Sequence, residues 1–156
     1  MRSGPVLIGY DGTAAAERAL RETAELLGGR QAVVVVVWKA ALAFELVELP
    51  AASIGLPPAP IDVRTALEVD RSLLESASRG AERAAELARE LGLDAEPLVV
   101  ADDPETPVDE TLVRVARERD AQVVAVGAHK HGPILGSISR GVVRNASCPA
   151  LVVREM

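Results

Sequence analysis

Residues 31–38 read Gln-Ala-Val-Val-Val-Val-Val-Trp, and every position from Ala32 to Trp38 is apolar. This stretch decides the fold, because a β-strand that is apolar at every position must be covered on both of its faces. A parallel sheet between two layers of helices supplies that cover. Two more runs that are largely apolar, Pro5 to Tyr10 and Ala121 to Gly127, predict further strands of the same buried kind.

Helical patterns alternate with these strands. Thr13 is placed to cap an alanine-rich helix that ends at about Leu27, before Gly28-Gly29. A long helix is predicted from about Arg64 to Leu91, because its apolar residues recur three and four positions apart. The remaining predicted elements are a strand from Asp94 to Ala101, a helix from Thr106-Pro107 to about Arg119 with Thr106 as its cap, a helix from Ser137 to about Asn145, and a strand from Ala150 to Arg154.

Only the segment from residue 39 to residue 64 breaks the alternation. It contains four prolines and no helical or strand period, so we expect an irregular insertion after strand two. The rest predicts one α/β domain over residues 1–156, with a doubly wound parallel sheet and right-handed crossovers. Its architecture would be Rossmann-like, with three layers in the order α/β/α.

Composition and charge argue against some kinds of binding partner and of cellular location. The net charge is −6 at pH 7, which argues against general binding to nucleic acid or to an anionic membrane. The single cysteine, Cys148, excludes an internal disulfide. No apolar run approaches the roughly 18–20 residues that span a bilayer, and no secretory leader is visible, so we expect a soluble cytoplasmic protein.

Ligands of such sheets bind at the carboxyl ends of the strands, where the strand order reverses. The loop after the fourth strand carries Gly127, Gly132 and Gly136, followed by Ser137 at a predicted helix start. Glycines allow a phosphate close to the backbone, and a helix N-terminus favours negative charge, but glycines also occur in ordinary loops. The P-loop, GxGxxG and GxSxG motifs are all absent from the chain at the places where they would act.

Each charged candidate has two readings. Asp11 ends strand one, where its carboxylate could accept from a ribose hydroxyl or an adenine amine, or could bond its own turn. Lys130 could pair with a phosphate or be a solvated surface lysine. The segment 129–131, His-Lys-His, lacks further ligands for a metal, and exposed loop residues are the simpler reading. Asp102-Asp103 could be an acid/base pair, but is more typical of a helix entrance.

Taken together, four stretches resemble the universal stress protein family. They are Tyr10-Asp11-Gly12-Thr13 at the end of strand one, the strand ending in Gly127, Gly136-Ser-Ile-Ser139, and the closing Cys148-Pro-Ala-Leu-Val-Val153. The resemblance covers nearly the whole chain and implies a five-stranded sheet in the order 3-2-1-4-5. It also implies a homodimer in which the C-terminal strands pair across a two-fold axis, which would cover an otherwise exposed apolar edge.

The resemblance also implies a nucleotide site. Members that bind ATP carry three glycines and then a hydroxyl residue. Gly127 and Gly136-Ser137 match the two ends of that pattern. Lys130 stands where the middle glycine would be, and the stretch between the outer glycines is four residues shorter than in the family pattern. Asp11 matches the aspartate that contacts base and ribose, Val37 the apolar residue that packs on adenine, and Ser139 a second hydroxyl. The implied binding residues are Asp11, Val37, Gly127, Lys130, Gly136, Ser137 and Ser139.

Three functions follow from these features. The first is a homodimer that binds an adenine nucleotide, ATP with or without Mg²⁺, in a stress response. The second is a stress-signalling or interaction dimer without nucleotide, in which the shortened loop and the 39–64 segment form a partner surface. The third is an enzyme, at most one that hydrolyses ATP slowly, because no nucleophile–base pair and no metal cluster stands out in the sequence.

Overall fold

The computed structural model describes residues 3–39, 63–129 and 135–154. Within these ranges the strands form one parallel sheet in the order β3-β2-β1-β4-β5, which confirms the predicted doubly wound sheet of a single domain. The elements follow one another as β1 (Val6–Gly9), α1 (Ala14–Leu27), β2 (Gln31–Lys39), α2 (Val63–Glu90), β3 (Asp94–Asp102), α3 (Val108–Glu118), β4 (Val123–Ala128), α4 (Ser137–Asn145) and β5 (Ala150–Arg154).

The sheet is buried on both faces, as the valine run predicts. On one face Val6, Ile8 and Val34 pack in a core that includes the alanines of α1 and α2. On the other face the alternate residues, among them Leu7 and Val35, pack in a core with α3 and α4. Successive strand residues point to opposite faces, so each helical layer receives every second side chain. The alanines allow the helices to lie close to the sheet.

The two predicted hydroxyl caps have different outcomes. Thr13 is the N-cap of α1, and its hydroxyl accepts a hydrogen bond from the backbone N–H of Ala16 at 3.2 Å, as predicted. The prediction of Thr106 as the cap of α3 is wrong, because Pro107 is the N-cap and no side chain bonds there. The hydroxyl of Thr106 instead donates to Asp103 Oδ2 at 2.7 Å, within the turn before the helix.

The limits of the predicted insertion also change. Lys39 still belongs to β2, and α2 already begins at Val63, so only residues 40–62 of the predicted insertion remain, and they lie outside the described residues. The predicted apolar stripe of α2 is buried in its C-terminal half, at Ala81, Ala84 and Ala88 among others, whereas Leu74 is 37% exposed. None of the helices in the described ranges is long and apolar enough to cross a membrane.

Candidate functional site

A cavity of about 420 Å³ opens at the carboxyl ends of β1 and β4. The topology creates it, because α1 leaves β1 toward one face of the sheet while α4 leaves β4 toward the other. Six of the seven residues expected at a nucleotide site line this one cavity: Asp11, Val37, Gly127, Gly136, Ser137 and Ser139. The seventh, Lys130, lies outside the described residues. That the six bind a nucleotide stays a prediction.

Asp11 bonds its own turn, which is one reading of its sequence position, and it also lines the cavity. Its Oδ1 atom accepts from the backbone N–H of Thr13 at 3.0 Å and from the Thr13 hydroxyl at 2.5 Å, so the carboxylate holds the turn that leads into α1. Both of these bonds use Oδ1. Asp11 is exposed and lines the cavity, and Oδ2 takes no part in these two turn bonds.

An apolar wall faces this carboxylate. Val35 and Val37 of β2 contribute to it, and so do Val108 and Leu112 of α3. A heteroaromatic ring is the kind of group that packs against such aliphatic side chains while its polar edge reaches a nearby acceptor. Val108 and Leu112 were not expected at the site, because nothing in the amphipathic pattern of α3 indicates that part of its apolar face borders a cavity.

The start of α4 also borders the cavity. Gly136 is its N-cap and, as a glycine, offers no side chain to cap the first N–H groups of the helix. The first turn of a helix leaves such N–H groups without intrahelical partners, and the helix dipole favours an anion beside them. Ser137 is exposed there, but Ser139 is only 2% exposed and its hydroxyl donates to the carbonyl of Gly136 at 3.2 Å. A contact between Ser139 and a phosphate would need this hydroxyl to turn.

Gly127 has a packing role that the sequence did not reveal. A Cβ atom built on it would lie 2.4 Å from the carbonyl oxygen of Ala15 and 3.0 Å from the backbone nitrogen of Ala16. The glycine therefore lets the first turn of α1 lie directly on β4. This close approach shapes the cavity, because Ala16 and Gly127 both line it.

The carboxylate pair Asp102-Asp103 lies at the entrance to α3, and neither residue lines the cavity. A hydrogen bond from the hydroxyl of Thr111, at 2.6 Å, lowers the pKa of Asp102, and hydrogen bonds from Thr106 lower the pKa of Asp103. Lys39 adds to this arrangement, since its Nζ donates to the backbone carbonyls of Asp103 and Thr106. These bonds hold the β3–α3 loop, and α3 in turn carries one wall of the cavity.

Two titratable side chains at the cavity complete its chemistry. Burial, followed by the negative charge of Glu17, raises the pKa of Tyr10, so its phenol stays protonated at neutral pH. His129 lines the cavity and is exposed, as expected for a loop residue, while His131 lies outside the described residues. The described residues hold no cluster of three or more side chains that could bind a metal ion.

Comparison with known proteins addresses the family and the fold of this chain. Residues 3–154 match the universal stress protein family. A protein of this family from Burkholderia pseudomallei has a TM-score of 0.68 and 24% identity, covering 97% of this chain and 96% of its own. The universal stress protein from Archaeoglobus fulgidus in complex with dAMP has a TM-score of 0.58 and 18% identity, covering 97% of this chain and 98% of its own. A universal stress protein in complex with cAMP has a TM-score of 0.62 and 16% identity, covering 99% of this chain and 98% of its own. Among curated proteins no significant match exists.

The fold and the cavity define an α/β protein with a ligand crevice at the switch point of its sheet. The match over nearly the full length of the chain then specifies the kind of protein: the chain belongs to the universal stress protein family. The structural likenesses, all below 25% identity, support the fold independently of the sequence match.

Proposed function

We propose that this chain binds an adenine nucleotide, ATP or a shorter form, in the cavity between β1 and β4 as part of a cytoplasmic stress response. The observation that carries the proposal is the convergence of three chemically different surfaces in one cavity. These are the Asp11 carboxylate, the aliphatic wall around Val37, and the uncapped start of α4 at Gly136. They suit a ribose or base edge, a base plane and a phosphate respectively. The two family members solved with dAMP and cAMP add support.

The proposed contacts divide between the two ends of the ligand. Asp11 Oδ2 accepts from the nucleoside and Val37 packs on the base, while the backbone around Gly136 and Ser137 donates to phosphate. Gly127 keeps α1 close enough to form the cavity wall. Lys130, which follows the cavity-lining His129, supplies positive charge to the phosphates. Mg²⁺ is bound by the phosphates of ATP, and no residue of the protein is assigned as its ligand.

Calorimetric titration of the purified chain with AMP, ADP and ATP, with and without Mg²⁺, tests the proposal. The sharp variant is Asp11→Asn, because the amide keeps an oxygen for the Thr13 turn while an NH₂ group replaces Oδ2. We expect it to weaken nucleotide binding about ten-fold or more, as loss of a hydrogen bond to a charged group does.

Asp103→Asn is the matched control. Asp103 is also an exposed turn aspartate, whose Oδ1 accepts the N–H groups of Glu105 and Thr106 at 3.0 and 2.8 Å, but it lies away from the cavity. Its nucleotide affinity should equal that of the wild type. Absence of heat and of thermal shift at millimolar nucleotide would refute nucleotide binding and leave the interaction dimer without nucleotide as the function.

The proposal includes a homodimer formed through β5. Among the described strands β5 lies at the edge of the sheet and pairs with β4 alone, and Leu151, Val152 and Val153 are half-buried. An apolar edge strand with free backbone groups is suited to pairing with a second copy. Sedimentation equilibrium of the full chain tests this, and a mass equal to that of one chain at every concentration measured would contradict it.

A further inference from the structure

Lys39 joins two elements that form the apolar wall of the cavity. It is the last residue of β2, in register with Asp102 at the end of β3. Side chains alternate along a strand, so Lys39 points to the same face of the sheet as Val37, which is the face that α3 covers. Its Nζ donates to the backbone carbonyl of Asp103 at 3.3 Å and to that of Thr106. One side chain of β2 thus holds the turn from which α3 begins.

This turn controls where part of the wall lies. Val108 is the first residue of α3 and follows Thr106 by two positions. Val108 and Val37 pack against the same hydrophobic core, and both line the cavity. Lys39 therefore ties the strand that carries one of these valines to the turn that positions the other.

A second set of bonds at this end of α3 runs to β3. Asp102 Oδ2 accepts from the hydroxyl of Thr111 at 2.6 Å and from Arg114 Nη2 at 3.2 Å. β3 is an edge strand and, although the structure describes it in full, it contributes no residue to the cavity. The bonds of Lys39 reach past β3 and fix the start of α3 relative to β2, which does contribute to the cavity.

The chemistry of lysine suits this task. Its aliphatic stem can lie along an apolar face while the ammonium group, with three N–H donors, bonds two carbonyl oxygens at once. Lys39 is half-buried, in keeping with such an arrangement. A hydrogen bond from a charged donor is roughly twice as strong as one between neutral groups. Loss of the ammonium group would therefore free the turn to shift relative to β2.

We propose that Lys39 is a positioning residue of the nucleoside half of the cavity. It sets the spacing between Val37 of β2 and Val108 of α3, and through this spacing it sets the fit of the adenine ring. The inference rests on the proposed nucleotide function. Lys39 itself touches no ligand, so its effect on affinity passes through the valines of the wall.

Calorimetric titration of Lys39→Met with ATP tests this role. Methionine keeps an unbranched apolar side chain but has no N–H donor. We expect its affinity for ATP to be about five-fold or more below that of the wild type. Lys39→Arg keeps a charged donor and should stay within about two-fold of the wild type.

Two outcomes of this titration separate the inference from the proposed function. Wild-type affinity in Lys39→Met would overturn the positioning role of Lys39 and leave nucleotide binding intact. Absence of ATP binding to the wild-type chain would refute the proposed function and, with it, this inference.

A double-mutant cycle tests whether Lys39 acts through the wall. Val108→Ala alone should weaken ATP binding, because it shortens the apolar contact with the base. If Lys39 positions Val108, adding Lys39→Met to Val108→Ala should cost about two-fold or less, well below its effect in the wild type. Full multiplication of the two effects would contradict action through Val108.

Arg89→Met is the matched control for general damage to the fold. Arg89 Nε also donates to a backbone carbonyl, that of Ala95 at 2.7 Å, but Ala95 lies near the amino end of β3 and away from the cavity. We expect a lower melting temperature and the wild-type affinity for ATP. An equal loss of affinity in Arg89→Met and Lys39→Met would refute the positioning role. The Asp103→Asn control keeps its expected outcome, since Lys39 bonds the backbone carbonyl of Asp103.

Discussion

Gly127→Ala tests the packing role of this glycine between α1 and β4. The added Cβ would lie 2.4 Å from the carbonyl oxygen of Ala15, where about 3.4 Å is the near limit of ordinary contact, so α1 must move by about 1 Å relative to β4. The contacted atoms belong to the helix backbone and cannot rotate away. Overpacking of this kind costs about 1–3 kcal/mol of the free energy of unfolding, after any gain from a stiffer unfolded chain.

Urea unfolding followed by circular dichroism measures this cost, and Gly136→Ala is the control. At Gly136 the nearest atom to an added Cβ is Ser139 Oγ at 3.9 Å, and φ is −62°, so alanine fits without strain. We expect Gly136→Ala to change stability by less than about 0.5 kcal/mol, because the loss from alanine as a poorer N-cap opposes the gain from a stiffer unfolded chain. A Gly127→Ala variant that is as stable as the wild type would refute the packing argument.

Three further substitutions follow from the contacts. Gly141→Ala should destabilise by about 1–3 kcal/mol in urea unfolding, because its Cβ would lie 2.8 Å from the Cβ of Asp109 across the α3–α4 contact, and rotation of the Asp109 side chain cannot move that atom away. Gly12→Ala should cost about 1 kcal/mol in the same assay although nothing lies within 4 Å, because φ is +81° there. Thr111→Val removes the main cause of the lowered pKa of Asp102 and should cost about 1 kcal/mol at pH 7. Since the lowered pKa stabilises the folded state only above the unfolded value near about 3.9, the difference should shrink as pH falls below about 4.

The fold was predictable because its signals are local and redundant. Five consecutive valines in β2 require cover on both faces, and the alternation of strands with helices then leaves a parallel sheet as the simple solution. The position of the site follows from the same reasoning, since the switch point lies at the carboxyl end of β1. Asp11 could be placed there from its position alone, and so could Ser137, which starts α4.

The error at Thr106 is local, whereas the omissions at Val108, Leu112 and Gly127 depend on contacts between elements that are distant in sequence. Thr106 has the composition of a cap, but Asp103 three residues earlier takes its hydroxyl. Val108 and Leu112 follow the ordinary pattern of a core helix, so their position beside the cavity depends on how α3 lies over the sheet. Gly127 matches a ligand-binding pattern and yet has a packing reason, which only the position of α1 reveals.

The charges at the cavity lead to a last prediction, on the metal dependence of nucleotide binding. Among the described residues that line the cavity none is Lys or Arg, Asp11 is an exposed carboxylate, and the chain as a whole carries a charge of −6. The N–H groups at the start of α4 can compensate one phosphate better than three, because the influence of a helix terminus fades within its first turn. Mg²⁺ should therefore strengthen binding of ATP much more than binding of AMP, and Lys130→Ala should widen that difference. Calorimetry of both nucleotides with Mg²⁺ and with EDTA measures it, and equal affinity for ATP under the two conditions would contradict this account of the phosphate end.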